Sequence, residues 1–203
     1  MSERVSPRPP ISRLLLAPYR VAFYSFLALR RGYATVRPSA GGAWRTWVTP
    51  DLLLGGFMAP GDARALVAEG VGAIVNVSHE LVPPLRSIEA AGLDYHHVPC
   101  WDMRAPSLED TERAVDFIAR SIAQGRKVYV HCASGVGRSV ITILCYLATR
   151  EGRDIEEALA DIRKRRPRVN PSRAQRGFVD EFVAWRKAGG ARPSDGAGAA
   201  TSH

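Results

Sequence analysis

The strongest constraint in this chain is a single run, "KVYVH" then "CASGVG" then "RSVITILCYLAT", at residues 127–149. Val128, Tyr129 and Val130 are consecutive, so an extended chain here presents apolar side chains on both faces. The stretch from Val140 to Leu147 is apolar almost all round a helix, a pattern only a buried helix tolerates. A doubly buried strand feeding a buried helix belongs in a parallel sheet covered by helices on both faces. The fold class follows as α/β, with a central, mostly parallel sheet flanked by helices.

The remaining segments supply the layers this requires. "TWVT" and "LLLGG" read as short strands, and "APGDARALVAEG" reads as a helix begun at Asp62 and stopped at Gly70. "VGAIVNVS" is a buried strand, "VPPLRSIEAAG" a short helix and "LDYHHVPC" another strand. "SLEDTERAVDFIARSIAQG" is an amphipathic helix ended by Gly125, and "KVYVH" becomes the central strand. "DIEEALADIRKRRP" and "SRAQRGFVDEFVAWRKAG" close the domain as two helices. With 203 residues and 46% hydrophobic content, one globular domain is expected over residues 44–188, and the small, polar tail 189–203 is expected to be disordered.

Residues 1–43 differ. "RLLLAPYRVAFYSFLALRRG" is interrupted by Pro18 and Arg20, too short and too charged for a membrane span and a poor signal peptide. It reads either as a helix packed on the domain or as a basic-flanked helix at a membrane interface, with residues 11–31 as the peripheral contact. Cys100, Cys132 and Cys145 are odd in number and lack CxxC spacing, so neither a disulfide framework nor a zinc site is suggested, and a reducing cytoplasm fits. The five histidines form no HExxH-like pattern; no metal and no other cofactor are expected. The net charge of +8 favours anionic partners without choosing among them.

The loop after the central strand carries the chemistry. Ligands of α/β sheets gather at the carboxyl ends of strands, where the next helix aims its N-terminus. Ala133, Ser134, Gly135, Val136 and Gly137 are small enough for a tight turn whose successive amides face one centre, an anion cradle. Arg138 adds a planar cation able to hold two phosphate oxygens. The same surroundings favour the thiolate of Cys132, which becomes a nucleophile for the phosphorus of a monoester, forming a cysteinyl-phosphate that water hydrolyses. His131 is expected to order the loop by hydrogen bonding rather than act as a base, and Ser139 to reach the sulfur with its hydroxyl. A Walker A loop needs a lysine that is absent, and a GxSxG elbow needs glycine where Cys132 stands.

"HCASGVGRS" matches the HCxxGxxR[ST] signature, and the stretch from Trp44 to Trp185 resembles the dual-specificity branch of the cysteine-dependent protein tyrosine phosphatases. Low-molecular-weight phosphatases carry the loop near the N-terminus, and rhodaneses have a shorter one. Such an enzyme needs a carboxylic acid for the leaving oxygen. Asp94 reads as a turn residue, Asp110 as part of a capping box with Ser107, and Asp116 as helical. Asp102, in "VPCWDMRAPS" past a strand end, has no such duty and is the position matching the family's acid. Some family members orient water with a glutamine, but the spacing of Ser172 and Gln175 favours a helix cap. Cys100 is expected to be packed, with a protective disulfide to Cys132 as the lesser alternative.

For substrate, the loop offers one strong cation and suits a single phosphate, which argues against polyphosphorylated inositols and RNA 5′-triphosphates. The run "RKRRPRVNPSR" reads mainly as arginines on a solvated face. A monomeric enzyme acting on phosphotyrosine, phosphoserine or phosphothreonine in proteins, without nucleic-acid partners, is expected. "WVTPDLLLGG", "GVGAIVNVSHE" and "CWDMRAPSLEDTERAVDFI" also resemble mitochondrial-type phosphatases acting on phosphatidylglycerophosphate, which implies a phospholipid alternative. A pseudophosphatase that only binds phosphorylated partners is the third reading; the presence of Cys132, Arg138 and Asp102 together argues against it.

Overall fold

The computed structural model describes residues 44–59, 61–81 and 83–190, with 22, 24–26, 28, 29 and 32 upstream. Five strands form one sheet: β1 (Arg45–Trp47), β2 (Leu52–Gly55), β3 (Val71–Val77), β4 (Asp94–Val98) and β5 (Lys127–His131). Their order is β1-β2-β5-β3-β4, so the last strand in the chain lies in the middle. Only the β1–β2 pair is antiparallel; β2–β5, β5–β3 and β3–β4 are parallel.

Alternation along the strands sorts the helices. Leu52, Leu54, Val75, Val128 and Val130 face α3 (Leu108–Ala123), α4 (Arg138–Arg150), α5 (Ile155–Arg165) and α6 (Arg173–Lys187), forming the larger core. Leu53, Ile74 and Tyr129 point the other way and pack with Leu66 of α1 (Asp62–Ala68) and Ile88 of α2 (Leu85–Ala90). A period of two on a strand covered on both sides produces this division. The first ten residues of α4 are all buried, consistent with its apolar circumference.

Local signals hold at the helix ends. Ser107 and Asp154 accept the backbone N–H of Asp110 and Glu157, and Ser172 forms a full capping box with Gln175. Asp62 begins α1, but Gly61 is its N-cap, and the carboxylate turns back to accept the Ala59 N–H at 2.7 Å. Asp94 is not a turn residue: it opens β4 and pairs with Arg126. The interfacial segment expected at residues 11–31 lies largely outside the described residues, as do residues 191–203 of the tail. Within the former, Tyr24 meets Phe57 edge-on with ring centroids 6.2 Å apart. No helix among the described residues is long and apolar enough to cross a membrane.

His131 ends β5 in the core, its ring stacked on Tyr129 with centroids 5.2 Å apart. Burial pushes its pKa down to about 4, outweighing the upward pull of the Cys132 carbonyl. The unfolded chain takes up this proton near 6.5 and the folded chain only near 4, so the stability it confers is present above pH 6.5 and lost as pH falls through that window. Denaturant titrations from pH 7 to pH 4 are expected to show His131→Gln losing less stability than the parent, by up to about 3 kcal/mol. Parallel losses in the two proteins would contradict a buried neutral imidazole.

Candidate active site

Between β5 and α4 the backbone is shaped by what surrounds it. Gly135 has φ of +65°, and a Cβ there would sit 2.5 Å from the Gly55 carbonyl carbon and oxygen, so glycine is required twice over. Every carbonyl from Ala133 to Val136 is engaged from outside the loop. Phe57 N–H donates to Ala133 O at 3.0 Å, and Arg166 and Arg168 each donate to Ser134 O at 3.2 Å. Arg166 Nε donates to Gly135 O at 3.0 Å, and Asn170 N–H to Val136 O at 3.1 Å. With the carbonyls held outward, amides turn to the sulfur: Gly135 N–H lies 3.3 Å from Cys132 Sγ.

Burial by itself would raise the Cys132 thiol. The Arg138 charge, the Ser139 hydroxyl and the backbone N–H groups of Ser139 and Ser134 together outweigh it, and the thiol lies below the ordinary cysteine range. Ser139 Oγ donates to Sγ at 3.3 Å, where the sequence placed it. The other two cysteines are moved the opposite way by burial, Cys100 up to about 11 and Cys145 further. All three are free and buried, and Cys100 makes long contacts with the carbonyls of Trp101 and Arg104.

Arg138 is the hub of the site. Glu80 grips it in bidentate fashion, Nη1 to Oε2 at 2.8 Å and Nη2 to Oε1 at 2.6 Å, and Nη1 also donates to Cys100 O at 2.8 Å. Asp102 Oδ1 stands 3.0 Å from Nη2. Burial disfavours both charges of the Arg138–Glu80 pair, yet the pairing prevails: Glu80 is held below the usual carboxylate range and Arg138 stays protonated. Arg138 Nε is buried and has no hydrogen-bond partner among the described residues.

A cavity of about 250 Å³ opens onto this cluster, lined by Cys132, Ser134, Val136, Gly137, Arg138, Asp102, Met103, Arg168, Asn170 and Gln175. The predicted site residues are therefore mostly brought together, with three qualifications. Ala133 faces away, packed with Trp44, Phe57 and Leu81. Gly135 backs onto β2. His131 lies in the core, and its Nδ1 is 3.4 Å from Cys132 O, a long contact that adds little order to the loop. Gln175 serves both as cap and as wall: it closes the Ser172 box, donates to Arg104 O at 3.0 Å and lines the cavity. A larger cleft of about 440 Å³ near α1 and α2 is lined by Arg64, Arg86, Ser87, glycine and alanines, with neither thiol nor carboxylate. Among the described residues no group of His, Cys, Asp and Glu is arranged to hold a metal.

The sequence reading missed Glu80, Arg166, Arg168 and Asn170. Glu80 follows β3, and nothing local reveals that β3 neighbours β5. Arg166 is a correction: the basic run reads as a solvated face, yet Arg166 is fully buried, donating also to Trp44 O and Thr46 Oγ1. Burial, then the charge of Arg168, lower its pKa to about 10. Removing this brace should free the loop carbonyls to turn inward and weaken the amide field on sulfur. For Arg166→Met, the pH midpoint of Cys132 alkylation by iodoacetamide is expected to rise by about one unit, with Arg166→Lys intermediate. An unchanged midpoint in a folded variant would limit Arg166 to stability.

Residues 60–187, more than half of the chain, match the family described as dual specificity phosphatase, catalytic domain. Phosphatidylglycerophosphate phosphatase PTPMT2 of Arabidopsis thaliana is 33% identical over 168 residues, covering 80% of this chain and 72% of that protein. Dual specificity protein phosphatase 26 of Mus musculus is 30% identical over 170 residues, covering 80% and 75%. The crystal structure of PTPMT1 in complex with PI(5)P superposes with a TM-score of 0.67 at 26% identity, over 73% of this chain and 99% of that one. A mostly parallel five-stranded sheet, a CX5R loop with its thiol lowered and this breadth of match make the chain a member of the dual-specificity phosphatase family, a cysteine-dependent phosphatase.

Proposed function

We propose that the site hydrolyses phosphate monoesters in two steps through Cys132, with phosphorylated tyrosine, serine and threonine side chains of proteins as substrates. The observation that carries this is the Arg138 Nε–H, a buried donor without a hydrogen-bond partner among the described residues, beside a lowered thiol. A phosphate oxygen satisfies it, and the adjacent Nη2–H becomes available to a second oxygen when Asp102 swings away. Cys132 Sγ then attacks phosphorus, the S–P bond forms and the P–O bond to the alcohol or phenol breaks. Asp102 gives its proton to that leaving oxygen. In the second step the Asp102 carboxylate takes a proton from water, the water oxygen bonds to phosphorus and the S–P bond breaks. The Ser139 hydroxyl, 3.3 Å from sulfur, supports the returning thiolate. Neutral, buried His131 takes no proton in this scheme.

A second reading is supported by specific observations: a phospholipid monoester as substrate. A relative covering most of the chain acts on phosphatidylglycerophosphate by its name, and the cavity is lined by Met103, an apolar side chain 68% exposed, two positions from the exposed Trp101. In this reading the enzyme is a monomer that meets the bilayer peripherally from the cytoplasm, residues 11–31 assisting.

Two experiments test these assignments. Asp102→Asn is expected to slow an alkyl phosphate by about 10²–10⁴-fold and a nitrophenyl phosphate far less, because only the poor leaving group needs the proton; equal losses would remove the acid role. For substrate, phosphate release is compared for phosphotyrosine and phosphothreonine peptides and for phosphatidylglycerophosphate in vesicles, with Cys132→Ser as blank. Peptide turnover that survives deletion of residues 1–40 supports the protein reading. Vesicle turnover that falls with the deletion supports the lipid one, and turnover by the blank would refute Cys132 as nucleophile.

A further inference from the structure

The loop sequence between Cys132 and Arg138 contains no cation, and by that measure the site receives one phosphate. The fold changes this count. Arg168, from the segment after α5, lines the same cavity as Cys132 and Arg138. Among the contacts that orient its guanidinium, Nη2 donates to Ser134 O at 3.2 Å, and the group lies 5.6 Å from the centroid of the Trp44 ring. Arg166 beside it reinforces the positive potential, and neither residue belongs to the Arg138–Glu80–Asp102 cluster that governs the reacting phosphate. Met103 lines the cavity as well and, with Trp101, adds exposed apolar surface about Asp102. The cavity wall thus combines a second cation, Arg168, with the apolar side chain of Met103.

We propose that Arg168 binds a second anionic group of the substrate, the phosphodiester of a glycerophospholipid headgroup, while the terminal phosphate monoester occupies the Cys132 loop. The inference rests on the phospholipid reading of the site. In such a headgroup the two phosphates are joined through one glycerol, so the second anion arrives at a fixed short distance from the first. A phosphorylated side chain carries one phosphate, and acidic neighbours vary from peptide to peptide. The apolar residues suit a substrate whose hydrocarbon begins just beyond its second anion.

Competition against nitrophenyl phosphate hydrolysis by the full chain tests this with two soluble probes. Glycerol 3-phosphate carries the monoester alone; glycerophosphoglycerophosphate, the deacylated headgroup, adds the phosphodiester. The parent protein is expected to bind the deacylated headgroup about tenfold more tightly, Arg168→Gln to bring that ratio close to one, and Arg168→Lys to restore part of it. The ratio is the readout because a loop merely loosened by the substitution weakens both probes together. A parent ratio near one, or a ratio unchanged in Arg168→Gln, overturns the proposal. Vesicle assays with phosphatidylglycerophosphate separate the two levels: a tenfold ratio without lipid turnover supports the Arg168 contact and refutes the lipid as substrate.

Discussion

Four successive carbonyls on the outer side of one loop, each satisfied by a donor from elsewhere in the fold, set the conditions for everything in this site. A peptide unit has two ends, and fixing the oxygen outward commits the neighbouring N–H groups to the interior of the turn. The segment from Arg166 to Asn170 supplies most of those donors, and Gly135 lets the backbone pass against β2 where no side chain fits. A buried arginine is a costly brace, because burial disfavours its charge. Its bonds to several carbonyls at once offset that cost and make it specific for one loop conformation.

The electrostatics then follow from a competition around Arg138. Glu80 holds the guanidinium at a fixed angle from inside, while exposed Asp102, 74% open to solvent by its side chain, meets it from the mouth. These two carboxylates differ in burial and therefore in freedom. Glu80 is locked in a bidentate grip, whereas Asp102 is held through one contact on a loop that includes Met103 at positive φ. Of the two carboxylate contacts on Arg138, the one from Asp102 is the easier to displace. In the proposed scheme this difference in freedom matters, because the carboxylate with the looser hold on Arg138 is the one assigned to the leaving oxygen.

Much of this was legible in the sequence because it is local. The CX5R spacing, the small loop residues, the Ser139 hydroxyl and the Ser172–Gln175 cap all depend on neighbours within a few positions, and the structure brings them together. Strand alternation and the apolar circumference of α4 likewise announced a doubly covered parallel sheet. What escaped is what chain topology decides. Glu80 approaches Arg138 across 58 residues because β3 lies beside β5, and Arg166 reaches Trp44 across 122. Inside "RKRRPRVNPSR" one arginine is fully buried and its neighbours are not, and composition cannot separate them.

The same non-local contacts explain how a common loop can acquire a particular substrate. In the proposed reaction the loop reads only the phosphate, since backbone amides and Arg138 can address only the oxygens every monoester shares. Discrimination must come from walls donated by other elements, and each wall here has a different chemistry. The segment after α5 contributes the charge of Arg168, the stretch after β4 contributes Met103 beside Asp102, and α6 contributes the amide of Gln175. Because the segment after α5 also braces the loop, substitutions there alter reactivity and selectivity together. The position best able to shift selectivity alone is therefore Met103, which lines the cavity and donates to none of the loop carbonyls.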